Sequence, residues 1–402
     1  MACNRANSGV LVSEVPESFR RKLHVLTLTP FYPSTGDEVS GCFVAEMLEQ
    51  LKSEDVTSTV MAVGNMYHPR KVAQDTKPAI WFRYLQFPGI AGLSGAGVLL
   101  YSGIRAKVRR LHQQRTIDLI HAHAALPCGD AAARLTKDLG VPFVVSVHGL
   151  DAFNTCFGRG ISVRWRQKAS YRVYRQAAAV VCVSGKVNQA VTAVMGPEVH
   201  ATTLYNGTDA DAFSPDPTVT REEATLLVVG MLLRIKGQRL VLQAIAKLKD
   251  RHPLLRCLFI GDGPDRSLLL DLAKRSGIED RVMFVGPKNR AEVAAAMRRC
   301  TLFVLPSSYE GLGCVYLEAM ASGMPVIACH GQGIEEIIRH KENGWLIGVE
   351  NLEELAQAIS AMLQNPALRV EIGKAARRTI LDGPTMAYQA KRMRALYDCV
   401  IE

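Results

Sequence analysis

None of the ten cysteines stands in a C-x-x-C pair, and no histidine cluster lies beside them. That removes the common zinc frameworks, and thiols scattered in this way fit reduced cysteines in a cytosolic protein better than a disulfide scaffold. The first 22 residues lack the apolar segment of a secretory signal, so export by that route is not expected. The apolar stretch Gly89–Leu100 is too short and too rich in glycine to cross a bilayer, which takes about 20 residues. The basic residues are not interleaved with aromatics and no nucleic-acid motif accompanies them, which argues against a nucleic-acid partner.

Acidic residues are scarce in one half only. Residues 1–205 hold 23 Lys and Arg against 14 Asp and Glu, whereas residues 206–402 hold 25 against 24. The net charge of +10 therefore sits almost wholly in the first half. Such a surplus fits an anionic partner, either a membrane surface or a phosphorylated acceptor, and equally fits ordinary solubility. A length of 402 residues exceeds what one core normally fills, and 48% hydrophobic residues are ample for two.

The most informative stretch lies between two short apolar runs, Leu302-Phe303-Val304-Leu305 and Val326-Ile327-Ala328-Cys329. Both read as buried parallel strands, and Pro306 ends the first. Between them, residues 314–322 carry neither Gly nor Pro, Gly323 stands as a helix terminator and Pro325 prevents continuation. A strand, a glycine turn and a helix place free N–H groups at the carboxyl edge of a sheet, a setting that favours anions. Glu310 sits in that turn and Glu318 follows eight residues later, roughly 80° around a continuous helix. The two carboxylates then serve different parts of one hydroxyl-rich ligand, or are simply a turn Glu and a solvated helix Glu.

Glu310 and Glu318, separated by seven residues around Gly311-Leu312-Gly313, resemble the E-x7-E signature of the family-four (group 1) retaining glycosyltransferases of the GT-B fold. The resemblance runs over nearly the whole chain. It implies that Glu310 contacts the transferred sugar, that Gly311, Leu312 and Gly313 offer amides to sugar and phosphate, and that Glu318 holds the nucleotide ribose. It also implies no metal and no cofactor, the nucleotide-sugar being a substrate.

Taken in order, residues 1–21 are polar and read as a flexible segment. His24–Thr29 alternates as a first strand, and the loop Ser34–Gly41 opens a helix with Val44, Met47, Leu48 and Leu51 on one face. Without a full G-x-G-x-x-G, that loop is a phosphate cradle or a plain connection. Phe31-Tyr32-Pro33-Ser34 followed by Ser40-Gly41-Cys42-Phe43-Val44 is similar to the opening of the branch that contains teichuronic-acid-type polysaccharide glycosyltransferases, which makes Gly41 a donor-diphosphate candidate. Leu100, Ile104, Val108 and Leu111 recur at helical spacing among Arg105, Lys107, Arg109, Arg110 and Arg115. The pattern suits a helix lying on an anionic membrane, or a core-facing stripe with a solvated basic face.

His121 and His123 precede a second strand that ends in His148-Gly149-Leu150-Asp151. Two histidines alone are too few for a metal site. The H-G-x-D segment resembles the family's, which implies a sugar-orienting role for His148 and an acceptor-side role for Asp151. The Asn206-Gly207-Thr208-Asp209 turn then resembles the close of the family's first domain, before a polar hinge.

The second half restarts at Leu226–Val229 and Gly230. Met231, Arg234, Lys236 and Gly237 follow. The family pattern carries an arginine where this chain has Met231, whereas Lys236 and Gly237 match. Cations here suit a diphosphate that gains charge as it leaves, which makes Lys236 and Arg234 donor-site candidates. Gly286, at the end of the strand Val282–Val285, borders the nucleobase by the same resemblance. The Gly331–Ile338 stretch reads as a glycine turn opening a helix, with Glu335 in its first turn.

The expected fold is α/β, two doubly wound Rossmann-like domains facing across a cleft, with residues 22–207 on the acceptor side, 208–384 binding the nucleotide-sugar and 385–402 crossing back as a helix. The expected activity is transfer of a sugar, with retention, from a UDP- or GDP-type donor to a glycan or lipid-linked acceptor in cell-surface polysaccharide synthesis. The expected place is the cytoplasm, with peripheral attachment to the inner face of a membrane. Glu310, His148 and Lys236 are the catalytic candidates. A non-catalytic nucleotide-sugar-binding subunit, and an epimerase or phosphorylase on the same fold, are the alternatives.

Overall fold

The computed structural model describes residues 21–34, 41–65, 79–84, 92–149, 161–196, 199 and 201–402. Asp151 and the greater part of the 1–21 segment and of the Ser34–Gly41 loop lie outside these. The chain forms two compact units, one of residues up to Tyr205 together with Ala387–Glu402, the other Asn206–Met386.

The first unit runs β1 (Leu23–Thr29), α1 (Cys42–Leu51), β2 (Val56–Asn65), β3 (Ile80–Tyr84), α2 (Gly92–Gln114), β4 (Leu119–His123), α3 (Asp130–Leu139), β5 (Phe143–Val147), α4 (Ile161–Gln176), β6 (Ala179–Cys182), α5 (Gly185–Met195) and β7 (Ala201–Thr203). The strands form one parallel sheet in the order β3-β2-β1-β4-β5-β6-β7. The central strands are buried along their whole length, because helices cover both faces of such a sheet. In α1, Val44, Met47, Leu48 and Leu51 are the buried face.

The second unit contains β8 (Thr225–Val229), α6 (Gln238–Leu248), β9 (Arg256–Ile260), α7 (Arg266–Arg275), β10 (Val282–Phe284), α8 (Arg290–Arg299), β11 (Leu302–Val304), α9 (Cys314–Ala321), β12 (Val326–Cys329), β13 (Trp345–Ile347), α10 (Leu352–Gln364) and α11 (Pro366–Leu381). Its six strands are also parallel, in the order β10-β9-β8-β11-β12-β13. The last helix, α12 (Met386–Ile401), returns to the first unit, where Arg394 donates to Glu54 O (2.9 Å) and Arg21 O (2.8 Å), and Tyr397 Oη meets His121 Nδ1 at 2.6 Å. In each sheet the winding reverses, between β1 and β4 and between β8 and β11. Doubly wound sheets open a crevice at the carboxyl ends of the strands at such a point.

The fold decides between two readings of the α2 stripe, in favour of a core-facing one, and corrects two further expectations. Leu100, Ile104 and Val108 are fully buried, so the apolar stripe of α2 belongs to the core and is not available to a membrane. Each such side chain contributes on the order of 1.5–3 kcal/mol by leaving water, while Arg105 and Arg109 on the outer side pair with Asp138 at 2.8 and 3.3 Å. The Gly331 turn opens a short 3-10 turn, Gly333–Glu336, and no longer helix. Glu335 there accepts from Gly331 N (2.5 Å) and contacts His330 Nδ1 (2.8 Å), so its partners are a local loop rather than a helix dipole. Finally, α9 begins at Cys314, so Glu310 precedes the helix and no helical angle relates it to Glu318.

Candidate active site

In the second unit the loops that leave β8 and β11 are tied together backbone to backbone. Gly237 has φ 73°, and a Cβ on it would lie 2.2 Å from Pro306 O. Only glycine allows that approach. Ser308 N then donates to Ile235 O at 2.8 Å. The consequence is that Lys236, on the turn Arg234–Lys236, stands beside Glu310, and Lys236 Nζ forms an ion pair with Glu310 Oε1. The two side chains are 19% and 10% exposed. Glu310 is held further by Ser307 Oγ at 3.4 Å, and its own N–H donates to Gln332 Oε1 at 3.0 Å.

The turn continues into α9 through Gly313, at φ 79°. Leu312 is buried, which leaves its backbone rather than its side chain to face a ligand. Tyr316 Oη donates to Leu305 O at 2.6 Å and anchors the helix to the end of β11. Two residues further, Glu318 accepts from Arg290 Nη1 at 2.7 Å. Arg290 is the first residue of α8, inside the Asn289–Glu292 capping box, and its guanidinium lies 4.8 Å from the centre of the Phe213 ring. The arrangement is two carboxylates, each against its own cation, at one end of one sheet.

Two glycines of the same unit, Gly230 after β8 and Gly286 after β10, have open space beside them. An added Cβ at Gly230 or Gly286 would meet nothing within 4 Å, so backbone there is accessible to a ligand. Met231 is 57% exposed, and its carbonyl accepts from Gln238 Nε2 at 2.9 Å. Arg234 is exposed; its carbonyl accepts from Gly237 N–H at 3.3 Å, and its guanidinium makes no ion pair or hydrogen bond among the described residues.

In the first unit, His148 follows β5 and packs against Phe31 (5.5 Å between ring centres) and Phe43 (5.0 Å). His123 Nδ1 lies 2.9 Å from His148 Nε2, and His121 stacks on His123 at 4.4 Å. Burial pushes the His148 imidazole down to about 4 and His121 down to about 3, and drives His123 well below its usual value. All three are neutral near pH 7, so one imidazole of the His123–His148 pair donates and the other accepts. His123 Nε2 is buried with no hydrogen-bond partner. Gly41, at φ 78°, would place a Cβ 2.3 Å from the Phe31 carbonyl carbon, so its glycine is required by the chain's own packing. Among the described residues no group of three His, Cys, Asp or Glu side chains could hold a metal ion.

The sequence matches two family descriptions, "Glycosyl transferases group 1" over residues 209–379 and "Glycosyltransferase Family 4" over residues 41–212. The chain belongs to the group 1, family-four glycosyltransferases. This glycosyltransferase is 26% identical over 334 residues to the glycogen synthase of Mycobacterium tuberculosis, covering 82% of this chain and 77% of the relative. Its fold is similar to sucrose-phosphate synthase from Thermosynechococcus elongatus, with a TM-score of 0.77, 20% identity and coverage of 94% and 98% of the two chains. It is also similar to HepE of Anabaena in complex with UDP-glucose, with a TM-score of 0.73, 19% identity and coverage of 94% and 100%. The fold is thus α/β with two Rossmann-like parallel-sheet domains and GT-B neighbours, and the protein is an enzyme of the transferase class.

Arg290, Gln332 and the pairing of His123 with His148 were not identified as site features from the sequence of this glycosyltransferase. Arg290 and Gln332 carry no local signal, because their partners are 28 and 22 residues away. The alternation His121-x-His123 did place two imidazoles on one side of a strand, which is the signal that leads to His148.

Proposed function

We propose that this glycosyltransferase moves a sugar from a nucleoside diphosphate donor to a hydroxyl of a glycan or lipid-linked acceptor, with retention of configuration. The observation that carries the reading is the pair of partly buried carboxylates, Glu310 and Glu318, each held by a cation, in a unit whose Gly230 and Gly286 backbones face open space. Glu318 accepts from the ribose hydroxyls, and Glu310 with the Gly311–Gly313 backbone accepts and donates to the transferred sugar. Lys236 and Arg234 offset charge on the departing diphosphate, a task that dominates when the leaving group is anionic. His148 orients the sugar and Asp151 lies toward the acceptor. Gly41 meets the diphosphate, and Gly286 borders the base. In this reading no metal ion or cofactor takes part.

Retention follows when the leaving phosphate oxygen takes the acceptor proton on the face it departs from, as the acceptor oxygen bonds to the anomeric carbon. No side chain is assigned as a base. The reading places the enzyme in the cytoplasm, peripheral to a membrane, in synthesis of a surface polysaccharide of the teichuronic-acid type. A glycogen synthase among the relatives and a UDP-glucose complex among the structural neighbours support a nucleotide-sugar donor.

Thermal-shift titration with UDP, GDP and ADP sugars tests the donor. One nucleotide series raises the melting temperature in a saturable way, since a ligand that binds only the folded chain stabilises it. If none of the three shifts it, the donor reading is wrong. Met231 favours one second reading, a subunit that binds the donor without turning it over. Binding of a nucleotide-sugar with no release of nucleoside diphosphate in the presence of cell-extract acceptors identifies that case.

A further inference from the structure

Helix α4 turns a single stripe of cations and an indole to solvent. At 100° per residue, Arg164, Arg175, Lys168, Arg172 and Trp165 fall within about 100° of its circumference, and all five are exposed. The opposite side, with Val163, Arg166, Ser170, Val173 and Tyr174, is buried. Ile161–Gln176 contains no acidic residue. Trp165 is 66% exposed, an uncommon state for so large an apolar surface. Arg172 reaches the buried Asp130 carboxylate at 2.5 Å, whereas Arg164 and Lys168 make no ion pair among the described residues.

The start of α2 extends the same chemistry. Gly97 approaches Asp130 so closely that a Cβ on it would lie 2.5 Å from Asp130 Cβ. The two helices therefore meet at the carboxylate that Arg172 holds. Val98 and Leu99, beside Gly97, are each 40% exposed. Gly92–Gln114 also lacks acidic residues, and along it Lys107 and Arg110 are exposed and without ion pairs among the described residues.

An indole and two aliphatic side chains amid cations, of which Arg164, Lys168, Lys107 and Arg110 make no ion pair among the described residues, match a surface that is anionic outside and apolar just beneath. The headgroup region of an acidic bilayer has that layering. An acidic protein supplies the charge without the apolar layer. Single-stranded nucleic acid is held on successive aromatic platforms, and this stripe exposes one indole. We propose that α4, with the first turns of α2, docks the first unit on an anionic lipid bilayer. The proposal deepens the lipid-linked reading of the acceptor without depending on it, because docking is measured with no donor present.

The test is flotation of the full chain with vesicles of phosphatidylcholine alone, or of equal parts phosphatidylcholine and phosphatidylglycerol. The chain binds the anionic vesicles, leaves the neutral ones, and is released as ionic strength rises to about 0.5 M. Arg164→Gln with Lys168→Gln weakens binding about fivefold per cation removed. Trp165→Ser weakens it with melting temperature unchanged, while Lys274→Gln with Arg275→Gln in the second unit leaves it intact. Equal binding to neutral vesicles, no binding at all, or wild-type binding by folded α4 variants overturns the proposal. So does retention on single-stranded DNA at salt that strips the chain from vesicles.

Discussion

Arg290 Nη1 lies 2.7 Å from Glu318 Oε1, with side chains 26% and 10% exposed. A carboxylate so nearly removed from water keeps one orientation only while a partner holds it. Arg290 is therefore a positioning residue for the proposed ribose contact. Glu318→Gln keeps the shape and loses the charge. It raises donor KM by roughly 10- to 100-fold, the worth of a hydrogen bond to a charged group, with kcat little changed. Arg290→Ala raises donor KM in the same direction, and steady-state kinetics with varied donor shows both. A fall in kcat at constant KM contradicts the assignment.

Lys236 and Glu310 are coupled by their ion pair, so single substitutions each strand a partly buried charge. Lys236→Ala lowers kcat on the order of 100-fold or more if it neutralises the leaving diphosphate. In stability the double substitution Lys236→Ala with Glu310→Ala costs less than the two singles added, by about 1 kcal/mol or more. Denaturant unfolding of the four proteins measures the difference, and strict additivity removes the coupling.

Met231 stands exposed next to Gly230, so an arginine there displaces no core packing. Met231→Arg changes stability by no more than about 0.5 kcal/mol. It raises kcat/KM for the donor by roughly tenfold, the worth of one charge-assisted contact. Unchanged turnover shows that Arg234 already supplies the charge.

The buried histidines set an acid limit on stability. Burial lowers His121, His123 and His148, to about 3 and about 4 for the first and last, against 6.5 in the unfolded chain. Above pH 6.5 both states are neutral and these groups are silent. Below it the unfolded chain takes up protons that the folded chain refuses, so stability falls as pH drops toward 4. Each histidine costs on the order of 2 kcal/mol by pH 5. The melting temperature therefore declines from about pH 6.5 downward, and His123→Asn reduces the slope. A flat profile to pH 5 contradicts the burial of these rings.

Many of the central strands were legible because such parallel strands are apolar runs that end at Gly or Pro. Leu302–Val304 and Val326–Cys329 are buried throughout and were readable for that reason. The edge strands β3 and β7 escaped. Ala201–Thr203 is short and only half-buried, so no apolar run marks it. In the candidate site, Glu310, Glu318 and Lys236 were legible from motif and spacing, whereas Arg290 was not, since nothing near it in sequence shares its role.

By itself the sequence determined two successive sets of strand, glycine turn and helix, because periodicity, proline and glycine act within a few residues of chain. Tertiary structure alone decided which cation meets which carboxylate, across 74 residues for Lys236 and Glu310 and 28 for Arg290 and Glu318. It also decided that the apolar stripe of α2 is core and that the indole on α4 is left in water. Those outcomes depend on which faces the sheet covers, and local pattern does not carry that information.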